Sequence, residues 1–321
     1  MIKLHKKDLR IIQELDLDAR QPTSIIARKT GLSKELANYR IKQLEKKGII
    51  RGYYSLYNVS LLGYNLYKIF IKLQNISKAK EEEFIRYLLK IKQLGLIATC
   101  SGNYDMEIGV VSRSLLEFHK ILEQITNEYG AYIKSKDVTT IIEMRQYNRK
   151  YLYDKTPQIK EFRYFSKEEP ESYDDTDLKI LEYLAHNGRK NNTDIEKALR
   201  ISRKVAGNRI KKMLKNNIIL GFRPLIDRDK IQMAYFRVLI KLQSMKEESV
   251  KKLFGYLKMS PNVMWINKTI GQWELEVELE IEDSKRCHDL VLELKHNFHS
   301  IIADANIIEI FKDYKYEFVI S

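Results

Sequence analysis

Cysteine is nearly absent from this 321-residue chain: it has two, Cys100 and Cys287. A pair this sparse excludes a disulfide framework and leaves isolated buried thiols in a reducing compartment as the expectation. Long apolar runs are missing as well. No stretch approaches the ~18–20 residues that a membrane span needs, and the opening Met1-Ile2-Lys3-Leu4-His5-Lys6-Lys7-Asp8 holds no apolar core for a signal peptide. A cytoplasmic protein without membrane association is expected. No glycine-rich phosphate cradle and no nucleophile elbow occurs, which removes the commonest signatures of nucleotide hydrolysis and acyl transfer. Acid is the scarcer charge, 43 Asp and Glu against 57 Lys and Arg, a net +14. Such a field favours polyanions, nucleic acid first and an anionic membrane surface second. A lysine-rich background would give the same sum, so the position of the charges must decide.

What the chain does have is a second copy of itself. Residues 8–74 lie on residues 177–243 at a constant shift of 169 without a gap. Asp8, Leu9 and Ile11 fall on Asp177, Leu178 and Ile180; Arg20 on Arg189; Arg40-Ile41-Lys42 on Arg209-Ile210-Lys211; Ile71-Lys72-Leu73-Gln74 on Ile240-Lys241-Leu242-Gln243. The register extends to Gly102 with Gly271 and His119 with His288. Solenoid units run roughly 20–50 residues, so this period is a whole unit duplicated in tandem.

Each copy changes period midway. Leu9, Ile12 and Leu15 have helical spacing. Pro22-Thr23 opens a second helix that Gly31 ends at a left-handed cap. Ser33 is a fitting N-cap for a third helix running to about Lys47, with Leu36, Ala37, Ile41 and Leu44 assigned inward. Helix, short glycine turn, capped helix is the sequence form of a helix-turn-helix, and Ile49 to Leu56 follows as a wing. Beyond it, Leu66–Leu73 alternates apolar and basic residues as a strand does, 81–91 is helical, 96–100 and 106–111 are strands around a Gly102–Asp105 turn, 115–125 is helical and 137–144 is a strand. That βαββαβ order is ferredoxin-like. The predicted architecture is α+β, with a winged helix-turn-helix at 1–60, a ferredoxin-like domain at 61–147, a linker at 148–173 marked by Pro157 and Pro170, a second winged helix-turn-helix at 174–230 and a second ferredoxin-like domain at 231–321. The linker's Tyr151, Tyr153, Phe162, Tyr164 and Phe165 predict that it lies partly against a domain.

A recognition helix offers donors to base edges near its N-terminus and cations to phosphates. Residues 34–47 hold Lys34, Arg40, Lys42, Lys46 and Lys47 against Glu35 and Glu45, a net +3; residues 203–216 hold Arg203, Lys204, Arg209, Lys211, Lys212 and Lys215 with no acid, a net +6. The excess sits where a groove would be, so double-stranded DNA is the expected partner. Ser33, Lys34, Asn38 and Tyr39, with Ser202, Arg203, Lys204 and Asn208, are the candidates for base contact. Lys42, Lys46, Lys211, Lys212 and Lys215 suit phosphates. Arg40 and Arg209 either grip a phosphate or tie the helix to its own domain.

The run Asp8-Leu9 … Ile26-Ala27 … Gly31-Leu32-Ser33 … Arg40-Ile41-Lys42-Gln43-Leu44-Glu45-Lys46-Lys47-Gly48-Ile49-Ile50-Arg51-Gly52-Tyr53 closely resembles the Lrp/AsnC (leucine-responsive, or feast/famine) transcription regulators of bacteria and archaea. The βαββαβ half resembles their RAM effector domain. Family members usually carry one unit and dimerise; two are fused in this chain. The resemblance implies a small effector, often an amino acid, held between paired domains near Gly102, Tyr104 and Asp105 and near Gly271, Trp273 and Glu274. The alternative is that the glycines serve only their turns, the acids only a neighbour and the rings only a core. The paired effector domains are expected to pack sheet to sheet, or as one continuous sheet, to space the reading heads, and to provide the surface for any association of chains. Copy 2 departs from the pattern: Arg200-Ile201 replaces Gly31-Leu32 and Asn216-Asn217 replaces Lys47-Gly48. A missing glycine raises the cost of a left-handed turn, so distortion of the second helix-turn-helix is expected.

Three rival readings compete. Siroheme decarboxylases share the two-part architecture, but in this chain Asn103, Tyr104, Gln272 and Trp273 stand at the strand turns without a histidine for proton transfer. A metal site at His288, His296 and His299, near Cys287 and Glu293, would need three ligands of one short helix to converge. An architectural protein would bind DNA almost wholly through phosphates, with a steep salt dependence. No catalytic residue, metal or cofactor is assigned.

Overall fold

The computed structural model describes residues 4–153, 159–165, 171–186, 188–244 and 246–316. Pro157, Pro170 and Val319, the last near the expected end of copy 2, lie outside them. In copy 1 the elements are α1 (Lys6–Leu17), α2 (Thr23–Thr30), α3 (Lys34–Lys46), β1 (Ile50–Tyr57), β2 (Asn65–Leu73), α4 (Lys78–Leu89), β3 (Leu94–Ser101), β4 (Met106–Ser112), α5 (Leu115–Tyr129) and β5 (Ile133–Tyr147). A short β6 (Glu161–Phe165) follows. Copy 2 comprises α6 (Asp175–His186), α7 (Asn192–Leu199), α8 (Arg203–Lys215), β7 (Ile219–Ile226), β8 (Ala234–Leu242), α9 (Glu247–Met259), β9 (Val263–Ile270), β10 (Leu275–Ile281), α10 (Ser284–Asn297) and β11 (Ile302–Tyr316). The 169-residue shift maps the start of every copy 1 helix and strand onto its copy 2 partner. No helix among the described residues is long and apolar enough to cross a membrane.

The chain divides into two compact units that do not follow chain order. One holds residues 1–58, 146–162 and 171–233; the other holds 59–145, 163–170 and 234–321. The first unit thus contains both helix-turn-helix segments together with residues 148–162 of the expected linker and Gln146 and Tyr147 from the end of the expected ferredoxin-like domain.

Within that first unit the wing is shared. β1 pairs antiparallel with β7, so each copy contributes one strand of a two-stranded sheet. The two heads are therefore joined directly, where the sequence reading assigns that task to the effector domains. Reciprocal contacts seal the joint. Ala19 N–H donates to Phe222 C=O at 2.9 Å and Gly188 N–H to Tyr53 C=O at 2.8 Å, equivalent bonds under the shift. The Arg20 guanidinium lies 5.0 Å from the Phe222 ring centre, and Arg189 lies 5.0 Å from that of Tyr53. Cation–π contacts of this kind add a modest amount each. Deeper in, Asp16 is fully buried and accepts from Arg149 at 2.8 Å and Arg223 at 2.6 Å. Burial alone would raise its carboxyl, but Arg223 and Arg149 outweigh burial and hold it below its usual range.

In the second unit the strand order is β2-β4-β3-β11-β8-β10-β9-β5-β6, and β2 also pairs with β5. The two ferredoxin-like sheets therefore form one continuous sheet that closes on itself as an eight-stranded ring. Alternation decides what faces where. Tyr67, Ile69 and Ile71 of β2 face the helices α4 and α5, joining Phe84, Leu88, Ile108, Phe118 and Ile125 in one core. The opposite face of each strand lines the ring, where Phe70, Leu96, Ala98, Leu239, Ile308 and Ile310 pack with Tyr104 and Trp273.

The ring also encloses charge. Lys68 Nζ meets Glu276 at 2.6 Å and Glu107 at 3.1 Å; Arg237 pairs with Glu107 and, at 2.9 Å, with Glu278. Lys68 and Arg237 are equivalents under the shift, as are Glu107 and Glu276, while Glu278 stands where copy 1 has Gly109. Burial works against ionised Glu276 and Glu278, but Lys68 and Arg237 hold both below the usual carboxylate range. The alternation of β2 places Lys68 opposite the apolar face; it is 4% exposed, not solvated. Cys100 and Cys287 are buried and free, with thiols pushed up to about 12 by burial.

Candidate nucleic-acid interface

Each recognition helix is built by its preceding turn. Gly31 adopts φ 64°, ψ 47°, and its N–H closes α2. Ser33 then accepts from Leu36 N–H at 3.1 Å and starts α3. In copy 2, Asn191 accepts from Thr193 and Asp194 N–H while the Asp194 carboxylate accepts from Asn191 N–H, a complete capping box for α7. Arg200 takes the glycine's place at φ 57°, ψ 36°. Ser202 caps α8 from 3.4 Å. The expected distortion of the second helix-turn-helix does not occur. Arg200 and Asn217 take the left-handed conformations that copy 1 leaves to Gly31 and Gly48.

The helices seat by matching faces. Ala37, Ile41 and Leu44 of α3 are buried, as are Ala206, Ile210 and Met213 of α8. Leu36 is the exception to the sequence reading: it is 40% exposed, and its equivalent Val205 is 43% exposed. A helix turns 100° per residue, so Leu36 sits beside the solvent-facing Glu35 rather than behind Ala37. These two apolar side chains lie among the base-contact candidates, a place suited to thymine methyl groups. Sequence reasoning misses them because an apolar residue at helical spacing reads first as core.

Lys34, Asn38, Tyr39, Lys42 and Lys46 are exposed on α3, and Lys204, Asn208, Lys211, Lys212 and Lys215 on α8. The hydroxyls of Ser33 and Ser202 serve as caps. The arginines are engaged inside the domain: Arg40 meets Asp8 at 2.9 Å, and Arg209 meets Asp174 at 2.8 Å and Asp177 at 3.0 Å. The Arg209 guanidinium holds Asp174 below the usual carboxylate range. Of the two roles open to this pair, the structure shows the domain tie. Arg203 is also paired, with Glu196 at 3.1 Å. The cations left on the open faces are Lys34, Lys42, Lys46 and Lys47 in one head and Lys204, Lys211, Lys212 and Lys215 in the other. The contrast read as +3 against +6 narrows to the acids Glu35 and Glu45, which α8 lacks.

The effector candidates occupy the strand turns of the second unit. Gly102 has φ 108°, and a Cβ there would sit 2.8 Å from the Ile307 carbonyl of β11; at Gly271 it would sit 2.7 Å from the Val138 carbonyl of β5. Both glycines thus permit one copy's turn to press on the other copy's strand. Asp105 accepts from Leu73 N–H at 2.8 Å and Glu274 from Leu242 N–H at 2.6 Å, which pins each turn. Tyr104 and Trp273 point into the ring. Tyr104 donates to Asp137 at 2.7 Å, and Trp273 Nε1–H donates to Glu276 at 3.1 Å. The His288, His296 and His299 stripe has one internal contact, His299 Nδ1 to the His296 carbonyl at 3.0 Å; among the described residues no group of three metal-ligating side chains converges.

Comparison with known proteins agrees with this geometry. Residues 4–51 and 173–219 each match a family of winged helix-turn-helix DNA-binding domains. The chain is 30% identical over 125 residues to the HTH-type transcriptional regulator FL11 of Pyrococcus abyssi, a match covering 39% of this chain and 81% of that protein. It is 29% identical over 127 residues to the leucine-responsive regulatory protein of Rhizobium meliloti, with the same two coverages. Among solved structures it is similar to the siroheme decarboxylase NirDL, with a TM-score of 0.64 and 12% identity over 96% of this chain and 92% of that one, a likeness of fold. With a helix-turn-helix at both ends of the 169-residue shift and such relatives along one unit's length, the chain belongs to the Lrp/AsnC family of transcription regulators, its unit duplicated in tandem.

Proposed function

We propose that this protein is a sequence-specific DNA-binding regulator in which one polypeptide acts as a pseudo-dimer, presenting two unlike heads to an imperfect palindrome. The observation that carries this reading is the β1–β7 pairing, with its reciprocal Ala19–Phe222 and Gly188–Tyr53 bonds, which joins the two heads in one unit. In two-fold proteins half-sites lie about one helical turn, ~34 Å, apart or a multiple of it. Lys34, Asn38, Tyr39 and Leu36, with Lys204, Asn208, Val205 and Arg203, would read bases. Lys42, Lys46, Lys211, Lys212 and Lys215 would hold phosphates. Ser33 and Ser202 would present their helix starts, and Arg40 and Arg209 would orient the helices. A small effector, an amino acid being the expected class, would act at the outer side of the Gly102–Asp105 and Gly271–Glu274 turns, because these couple one copy to the other. The reading includes no catalytic reaction and no cofactor, and it places the protein in the cytoplasm.

Retention of genomic fragments at physiological salt tests it. A few fragments retained supports a regulator; uniform retention supports an architectural protein. Within a retained site, Lys211→Ala should weaken binding and reduce the slope of log K against log salt by about 1, with an unchanged melting temperature. Arg209→Ala should lower the melting temperature instead. The opposite pattern, a stability loss at Lys211 and a pure salt-slope change at Arg209, would refute these roles.

The fold of NirDL, followed over 96% of this chain, supports a second reading as a tetrapyrrole-modifying enzyme. A solved complex of that protein contains an iron-uroporphyrin III analogue. The inward, hydrogen-bonded Tyr104 and Trp273 rank this reading second. Incubation with siroheme and absorbance spectroscopy test it: decarboxylated product would establish the enzyme.

A further inference from the structure

The outermost row of each recognition helix begins with opposite charges. A helix turns about 100° per residue, so Glu35, Tyr39, Lys42 and Lys46 of α3 share one line, opposite the buried Ala37, Ile41 and Leu44. In α8 the same line holds Lys204, Asn208, Lys211 and Lys215, opposite Ala206, Ile210 and Met213. All eight side chains of the two rows are exposed. Such a row enters a major groove foremost, and its N-terminal residue lies nearest the base edges. Glu35 and Lys204 hold that place and are equivalents under the 169-residue shift.

Helix stability does not account for this pair. A carboxylate in the first turn complements the helix dipole, whereas a lysine there opposes it. Yet α8 has exchanged the one for the other. Neither side chain has an ion-pair partner among the described residues. Three and four residues further along stand Asn38 and Tyr39 in α3 and Gly207 and Asn208 in α8, none of them charged. Both groups are therefore uncommitted on the face that meets DNA.

Phosphate binding does not account for Glu35 either. An acid in line with Lys42 and Lys46 repels the backbone that those lysines would hold. A donor on a base edge offsets that repulsion. Cytosine N4 is the major-groove donor that a carboxylate matches, while guanine O6 and N7 are the acceptors that a lysine matches. Adenine also presents an amine, but its adjacent N7 is an acceptor and disfavours a carboxylate.

Resting on the regulator reading, we propose that Glu35 and Lys204 are specificity residues, reading cytosine and guanine at the corresponding base pair of the two half-sites. The pair is then inverted between the halves. Read toward the dyad, one half offers cytosine to the α3 head and the other offers guanine to the α8 head. A single strand thus carries cytosine at both positions, where a palindrome carries cytosine and guanine. That break assigns each head to its own half, and the chain lies on its site in one direction.

Selection of bound duplexes from a randomised pool by the full-length chain tests this. Each expected base should be favoured about fivefold or more over the inverted pair. Glu35→Lys should convert the α3 half to guanine and create a palindromic pair, and Lys204→Glu should convert the α8 half to cytosine. The double exchange keeps the net charge and should swap the two bases relative to the rest of the site. Lys211→Ala should lower affinity for all sequences alike. Far-ultraviolet circular dichroism of every variant verifies the fold. The same base toward the dyad in both wild-type halves, or exchanges that alter affinity but not base preference, would overturn the proposal and leave the regulator reading standing. A pool without any enriched sequence would overturn that reading and the proposal with it.

Discussion

Arg200 carries a backbone conformation that its copy 1 counterpart leaves to glycine, and the second helix-turn-helix keeps its shape because of it. For an L-residue the left-handed region costs about 1–2 kcal/mol, whereas Gly31 adopts it freely. Arg200→Gly should therefore raise stability by about 1 kcal/mol, less the added entropy of a more flexible unfolded chain. Circular dichroism melting checks this, and a lowered melting temperature would show that the arginine side chain matters more than its φ of 57°. Residue identity points to a damaged turn. It does not reveal that Asn191 and Asp194 cap the preceding helix at both partners, stiffening the approach to the turn. Arg40 and Arg209 are undecidable in sequence for a related reason. Their partners Asp8, Asp174 and Asp177 lie 32 to 35 positions away, and only folding brings them within reach.

At the level of elements, periodicity places the helices and strands because each buries one face, and that pattern is local. Pairings are not local. The wing read from Ile49 to Leu56 has no partner visible in sequence, since β1 finds its mate in β7 of the other copy. The buried Asp16 illustrates the same limit: its cations come from the segment after β5 and from β7, and its equivalent in copy 2 is Ala185. Removing one member of such a buried group costs about 3–5 kcal/mol. Asp16→Asn should destabilise the first unit by about that amount at neutral pH. The carboxyl is depressed in the folded state, so its stabilisation is present above the unfolded value of 3.8 and disappears as pH falls through the lower folded value. The gap between wild type and Asp16→Asn in urea unfolding should accordingly narrow below about pH 4. A gap constant down to pH 2 would refute the ion-pair account.

For the whole molecule, duplication has the largest consequence inside the ring. Two equal copies would bring equal contents, a cation and a carboxylate each; this chain adds Glu278 at the position equivalent to Gly109, so three carboxylates share Lys68 and Arg237. Gly109 has no room to answer with a side chain, because a Cβ there would sit 2.8 Å from that of Leu96. The two halves of the barrel are thus complementary rather than identical. Lys68 carries much of that complementarity, since it touches Glu107 from its own copy and Glu276 and Glu278 from the other. Burial and the neighbouring Arg237 hold its amine below the usual lysine range even so, which marks how strongly the site resists a second cation. Lys68→Met should leave the acids to Arg237 alone and cost about 3–5 kcal/mol. With a urea m-value of about 1–3 kcal/mol/M, the midpoint should fall by on the order of 1–5 M. Both tryptophans of the chain, Trp265 and Trp273, are buried in this second unit, so their fluorescence reports its unfolding and not that of the reading heads. Lys68→Met should therefore move the fluorescence transition, while Asp16→Asn should move the circular dichroism signal of the first unit and leave fluorescence in place. If both substitutions shifted both signals equally, the two units would unfold as one cooperative body, and the division of labour between reading heads and ring would have to be abandoned.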